Sequence, residues 1–248
     1  MAEQEAPRPV AVVTGASRAE GIGFEVCRQL ARRGYAVVLT ARDPQAARAR
    51  AAELQAEGLD VAPHVLDVAD EGSVAALARW LEAARGRVDV LVNNAAASIS
   101  PGNPPSTTRL AEAQAALQVA LFGAWRTTRA LLPLLRRAGR SRVVNVSSGA
   151  GSHGDPEFGL ASENAMGPAY AVAKAALNAL TASFAAELRA EGIKVNAVCP
   201  GFTATFPGGA QLGARPVAVG AASVVWAAEL GPDGPTGGFF RDGKPLPW

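Results

Sequence analysis

The chain is poor in cysteine and histidine, with two of each among 248 residues. Cys27 and Cys199 are too few and too scattered for the disulfide framework that staples small secreted domains. A reducing compartment, the cytoplasm, is therefore the expectation. His64 and His153 stand far apart and lack metal-ligand spacing, so no metal site is expected. No apolar run is long enough to cross a bilayer. The stretch Met1–Pro9 is short, polar and acidic, without the apolar centre of a signal peptide. Charge of one sign is also missing. Lysine plus arginine number 24 against 22 aspartates and glutamates, a net charge of +2, and no basic run breaks the balance. Nucleic acid is not an expected partner. Nothing reads as a linker, repeat or low-complexity tract, so residues 1–248 are expected to form one domain, with 1–8 as a flexible tail.

What the chain does have is alternation. Short β-rich apolar runs at Val10–Thr14, Ala36–Thr40, Val61–Leu66, Val88–Val92, Arg142–Val146, Ile193–Val198 and, weakly, Gly238–Arg241 are separated by helical patterns. The helices are expected near Ile22–Arg33, Pro44–Glu57, Gly72–Arg85, Leu110–Arg137, Pro168–Ala190 and Arg215–Glu229. About seven strands and six helices in this order predict an α/β fold, a Rossmann-type doubly wound parallel sheet with helices on both faces. Three Gly- or Pro-rich irregular stretches, Ser98–Ser106, Gly149–Gly167 and Phe206–Gly213, are free to shape a ligand pocket.

The first strand runs into Thr14-Gly15-Ala16-Ser17-Arg18-Ala19-Glu20-Gly21-Ile22-Gly23, which opens the first helix. Glycines there let backbone approach a pyrophosphate, and the helix N-terminus offers free N–H groups and a positive dipole end. The second strand ends Ala41-Arg42-Asp43. A carboxylate close to a strand end at this point binds a ribose 2′-hydroxyl, whereas guanidiniums suit a 2′-phosphate. Arg18 and Arg42 together favour NADPH over NADH. Asp43 is the competing signal, unless it caps the helix ahead of Pro44. Asp67 and Val68 end the third strand, where a side chain can meet an adenine edge. Asn93, Asn94, Ala95 and Ala96 end the fourth, as a ligand contact, a tie between strands, or both.

Tyr170 and Lys174 lie four apart and so share a helix face. A free phenol holds its proton too tightly for easy acid–base work at neutral pH. A cation one turn away favours the phenolate and is expected to pull that pKa down. A serine hydroxyl, Ser148 or its neighbour Ser147, can hold a substrate oxygen beside the phenol. The set moves a proton on or off a carbonyl oxygen.

These residues, in this order and spacing over essentially the whole chain, resemble the short-chain dehydrogenase/reductase family. The markers are Thr14-Gly15 with Gly21-Ile22-Gly23, Asp67, Asn93-Asn94-Ala95, Ser148, Tyr170-Ala-Val-Ala-Lys174 and Pro200-Gly201-Phe-Thr-Ala-Thr205. The stretches Val37–Asp43, Val143–Ser148 and Cys199–Gly201, with Trp248, are most similar to its NADPH-dependent carbonyl reductase branch. The resemblance implies a catalytic set of Ser148, Tyr170 and Lys174. Tyr170 would be the general acid, Lys174 would lower its pKa and hold the nicotinamide ribose, and Ser148 would orient the substrate oxygen. It implies a cofactor, NADPH, along Gly15, Ser17, Arg18, Gly21, Ile22, Gly23, Arg42, Asp67, Val68, Asn94 and Ala95, closed over by Pro200, Gly201, Thr203 and Thr205. Three departures stand out. Ala19-Glu20 lengthen the Gly-rich turn, Ala96 replaces a glycine, and Ala120 stands where the family often has an asparagine that anchors a proton-relaying water. Gln118 lies two residues away, on a different side of the helix.

The substrate pocket is expected to draw on Ala96, Gly149, Phe158, Met166, Phe202 and Phe206, within segments Ala95–Gly102, Gly149–Met166 and Phe202–Gly213. These segments hold no arginine or lysine to grip a carboxylate or phosphate. A neutral hydrophobic ketone or aldehyde is expected. Two alternatives follow from Ala120: an easily reduced quinone or polycyclic aromatic polyketide, or a nucleotide-binding sensor without turnover. A homo-oligomer is the family's usual state, with a monomer as the alternative because the stretch between Ser148 and Tyr170 is long.

Overall fold

The computed structural model describes residues 8–97, 103–162 and 166–248. The tail expected over 1–8 falls, apart from Arg8, outside them, as do parts of the expected pocket segments 95–102 and 149–166. Eight strands form one sheet: β1 (Val10–Val13), β2 (Ala36–Ala41), β3 (Val61–Val65), β4 (Val90–Asn93), β5 (Arg142–Val146), β6 (Lys194–Val198), β7 (Phe239–Arg241) and β8 (Lys244–Pro245). Their order is β3-β2-β1-β4-β5-β6-β7-β8. All pairings are parallel except β7 with β8. The order reverses between β1 and β4, the switch point where such sheets open a crevice at the strand C-termini. The eighth strand was not expected. It is a two-residue return whose pairing, not its composition, makes it a strand.

Strands β1 and β2 are buried at every position, which is why they read as continuous apolar runs and not as alternating ones. One face of the sheet is covered by α1 (Ile22–Arg32), α2 (Pro44–Ala56) and α7 (Val217–Ala228). The other is covered by α3 (Glu71–Ala84), α5 (Ala124–Arg137) and α6 (Pro168–Leu188). The starts follow local chemistry. Asp43 and Asp70 cap α2 and α3 by accepting from the Gln45 and Ser73 backbone N–H groups, and prolines open α2 and α6.

The helix expected over 110–137 is interrupted. A helix α4 (Leu110–Leu117) passes through a π-helical turn, Gln118–Gly123, into α5. The extra residue re-phases the helix, and apolar periodicity across a long run does not locate such a slip. At its end Gly123 packs closely on the third-strand end, where a Cβ would lie 2.7 Å from Val68 Cγ2.

Candidate active site

The Gly-rich turn between β1 and α1 is shaped by contact with β4. Gly15 has φ +69°, and a Cβ there would stand 2.7 Å from Ala95 Cα. Asn94 Nδ2 donates to the carbonyls of Thr14 (2.9 Å) and Gly15 (3.0 Å), and a Cβ on Gly23 would collide with it. The Thr14 hydroxyl accepts from the backbone of Asn94 and Ala95, each at 3.0 Å. Asn94 thus ties the strands together, as one of its two expected roles required. Gly21 begins α1 with no side-chain cap, so the first N–H groups of α1 lack a side-chain acceptor. A pyrophosphate fits this cradle.

At the end of β2 the two competing signals separate. The Asp43 carboxylate is engaged by the Gln45 N–H at 2.9 Å, as a helix cap. Arg42 is exposed. Arg18 was expected to join it, but its guanidinium donates to the Thr205 carbonyl in the loop after β6. The lengthened turn therefore sends Arg18 across the crevice and leaves Arg42 as the cation at that corner. Asp67 accepts from the Ala69 N–H (2.9 Å), and Val68 is buried against the π turn.

Beneath the crevice runs a buried polar ladder. Asn93 donates to Asn145 (2.9 Å) and Thr128 (3.1 Å), and Asn145 donates to Thr181 (2.8 Å). It links β4 and β5 to α5 and α6, and so fixes the helix that carries Tyr170 and Lys174. Ser147 belongs to this framework: its hydroxyl donates to Asn178 at 2.6 Å. Ser148 takes the N–H of Ala150 at 3.2 Å and lines a cavity with Tyr170. Both serines line that cavity, but the Ser147 hydroxyl is already engaged by Asn178.

Lys174 is 2 % exposed, donates to the Val146 carbonyl at 2.7 Å, and sits 5.5 Å from the centre of the Tyr170 ring. Burial pulls its pKa down to about 8. The expectation that Lys174 would lower the Tyr170 pKa is not met in the free protein. Burial dominates and pushes the phenol up to about 12, against an opposing hydrogen bond with Ser148. Desolvation penalises the phenolate, and an amine that loses its proton at about 8 is already neutral where the phenol titrates.

Two cavities flank Tyr170. One, of about 250 Å³, is lined by Ser148, Gly149, Phe158, Met166, Cys199, Phe202, Phe206 and Arg241, among others, with Pro200, Gly201, Thr203 and Thr205 along its wall. The other, of about 200 Å³, lies between α4 and α6 and includes Ala97, Glu112 and Ala116. Of the expected pocket residues, Gly149, Phe158, Met166, Phe202 and Phe206 come together, whereas Ala96 is exposed and lines neither cavity. The Thr203 hydroxyl is bonded to the carbonyls of Pro200 and Gly201, which shapes the loop after β6.

The three expected segments hold no arginine, but from outside them the cavity also draws on Arg241. Its Nη2 donates to Asp155 (3.2 Å) and to the Cys199 sulfur (3.3 Å), which also accepts from the Gly149 N–H. The signal was available. Arg241 ends a strand beside β6, at the same sheet edge as the other ligand-facing strand ends. Ala120 is buried among Ala116 and Ala173, and Gln118 is bonded to Arg126 at 3.1 Å, so neither replaces an asparagine.

A glycine cradle at a switch point, with serine and tyrosine on one cavity and a buried lysine beside the tyrosine ring, defines a dinucleotide-dependent oxidoreductase. The short chain dehydrogenase family model matches residues 9–211, and the chain belongs to that family. It is 35% identical to carbonyl reductase (NADPH) 1 of Sus scrofa, over 96% of this chain and 94% of that protein. It is 33% identical to (+)-neomenthol dehydrogenase of Arabidopsis thaliana, over 96% and 97%. Among solved structures, a metagenomic short-chain oxidoreductase in complex with NADP superimposes with a TM-score of 0.75 at 35% identity, covering 92% of this chain and 93% of that one.

Proposed function

We propose that the chain is an NADPH-dependent reductase that delivers hydride to a largely apolar carbonyl compound, a ketone or aldehyde, with Tyr170 as general acid. The observation that carries this reading is the single cavity shared by Ser148 and Tyr170, with the buried Lys174 ammonium beside the ring. When bound, the dinucleotide supplies the hydride. Gly15, Gly21, Gly23 and the start of α1 would hold its pyrophosphate, and Arg42 would meet its 2′-phosphate, since the Asp43 carboxylate caps α2. Lys174 would hold the ribose, and Pro200, Gly201, Thr203 and Thr205 would border the nicotinamide. The Ser148 hydroxyl donates to the substrate carbonyl oxygen and keeps it beside the phenol. Tyr170 passes its proton to that oxygen as negative charge grows there, and Lys174 stabilises the phenolate left behind. A phenol with a pKa of about 12 is fully protonated at neutral pH, the state that reduction needs. Relatives named carbonyl reductase and neomenthol dehydrogenase support a substrate of this class.

A second reading concerns the acceptor. With Ala120 packed among alanines, no side chain there anchors a relay water. An easily reduced quinone or polycyclic ketone asks least of the proton supply. We take the cytoplasm as the compartment. A homo-oligomer is supported by Phe122, Trp125 and Val172, which stay exposed on the helices.

The test is nicotinamide absorbance with matched ketones and quinones, using NADH as control. Ketone reduction with NADPH is the expected result. Quinone reduction alone selects the second reading. NADPH bound without turnover of either sinks the reductase assignment.

A further inference from the structure

Resting on the reductase reading, the arginine in the substrate cavity narrows the substrate class. Arg241 lines the same cavity as Ser148 and Tyr170. Its Nη2 is held at 3.2 Å from Asp155 and 3.3 Å from Cys199. Asp155 is itself fixed: its other oxygen accepts from the Glu157 and Phe158 N–H groups, each at 3.0 Å. Gly149, which directly follows Ser148, makes room for the pair. A Cβ there would stand 2.8 Å from Nη2 and would collide with the Asp155 carboxylate. The guanidinium therefore sits within one residue of the serine that holds the reacting oxygen.

Its donors are not all used. Nε is buried without a partner, and Nη1 has no protein acceptor among the described residues. Nε is closed off from the cavity, so Nη1 is the donor left for a ligand, and a guanidinium pre-organised by a carboxylate in the wall of a largely apolar cavity is a recognition element for an oxygen acceptor. Asp155 already balances its charge, so a neutral acceptor matches the site better than a second carboxylate does.

We propose that Arg241 is a specificity-determining residue that binds a second, neutral carbonyl oxygen of the substrate, making keto esters and related dicarbonyl compounds the preferred class. Only the ester oxygens distinguish the methyl ester of benzoylpropionic acid from hexanophenone of the same chain length, and the free acid adds a charge. With NADPH, the wild-type kcat/KM for the ester exceeds that for hexanophenone by at least about tenfold, the size of one hydrogen bond to a charged donor. It also exceeds that for the free acid. In Arg241→Met the ratio of ester to ketone collapses toward one, mainly through KM for the ester. Asp155→Asn keeps the guanidinium but removes its counter-charge. There the ester preference over the ketone survives and the free acid gains on the ester. If Arg241→Met fails to fold, the Asp155→Asn shift decides. Equal use of ester and ketone by the wild type, or a ratio unmoved in Arg241→Met, overturns the role of Arg241 and leaves the reductase reading intact. Preference of the wild type for the free acid overturns the neutral acceptor. Bound NADPH with no reduction of any of the three overturns the reductase reading and this proposal with it.

Discussion

Tyr170 and Lys174 are each displaced from their ordinary titration by burial, in opposite directions, and both displacements are measurable. Removing the phenol O–H in Tyr170→Phe should cut kcat by about 10²-fold or more, with NADPH affinity, read by fluorescence titration, changed little. Full activity in that variant would show that another group is the acid. Lys174 loses its proton as pH rises through about 8 in the free protein. The value of kcat/KM for NADPH reports free-enzyme ionisation, so it should be flat below that pH and fall above it. A profile without a break near 8 would disconnect Lys174 from cofactor binding. The pairing of these two residues was legible because four-residue spacing imposes a common helix face. Their pKa values were not, because burial is a property of the whole fold. Ser148 was preferred to Ser147 on the resemblance alone, and the hydroxyl partner that Asn178 provides to Ser147 supports that preference. Arg241 lies far along the chain from every segment that reads as pocket, and only its place at the end of the weak last strand points to the cavity.

Among the elements, the Gly-rich turn and the interrupted α4–α5 helix differ in how plainly they could be read. The turn follows a strand and precedes a helix, so its geometry follows from residue type. Gly15→Ala places a Cβ on a backbone at φ +69° and against Ala95. It should lower stability by about 1–2 kcal/mol in thermal melts and weaken NADPH binding by more than tenfold. The π turn brings Gly123 against Val68, a contact between segments that no local pattern encodes. Ala120 lies within it, buried against Ala116 and Ala173. Ala120→Asn should therefore overfill the site and cost about 1–3 kcal/mol. An unchanged melting temperature with faster ketone reduction would show instead that the position tolerates a relay side chain.

Over the whole molecule, the parallel sheet and its two packed faces follow from alternation of apolar runs and helical stretches, which is why seven of the eight strands were legible. The eighth depends on pairing with β7. Acid stability is also a property at this scale, and Asp155 gives it a sign. Burial alone would raise its pKa, but the Phe158 and Glu157 N–H groups and Arg241 outweigh it, and the carboxyl titrates below its ordinary value. Its contribution is full above the unfolded-state pKa and is lost as pH falls through the lower folded-state one. Denaturant melts should weaken on moving from about pH 5 to about pH 3, less steeply in Asp155→Asn. Parallel slopes in the two proteins would remove Asp155 from the acid limb.

The β7–β8 return has a kinetic side. The Ser152 hydroxyl donates to the Pro247 carbonyl 95 residues away, and the His153 and Gly154 N–H groups donate to Trp248. Closing so long a loop is slow compared with local helix formation, so the cavity wall should order late in refolding. In pulse-labelled hydrogen exchange the amides of His153 and Gly154 should gain protection after those of β1 and β4. The framework would then stand before the substrate cavity acquires its shape.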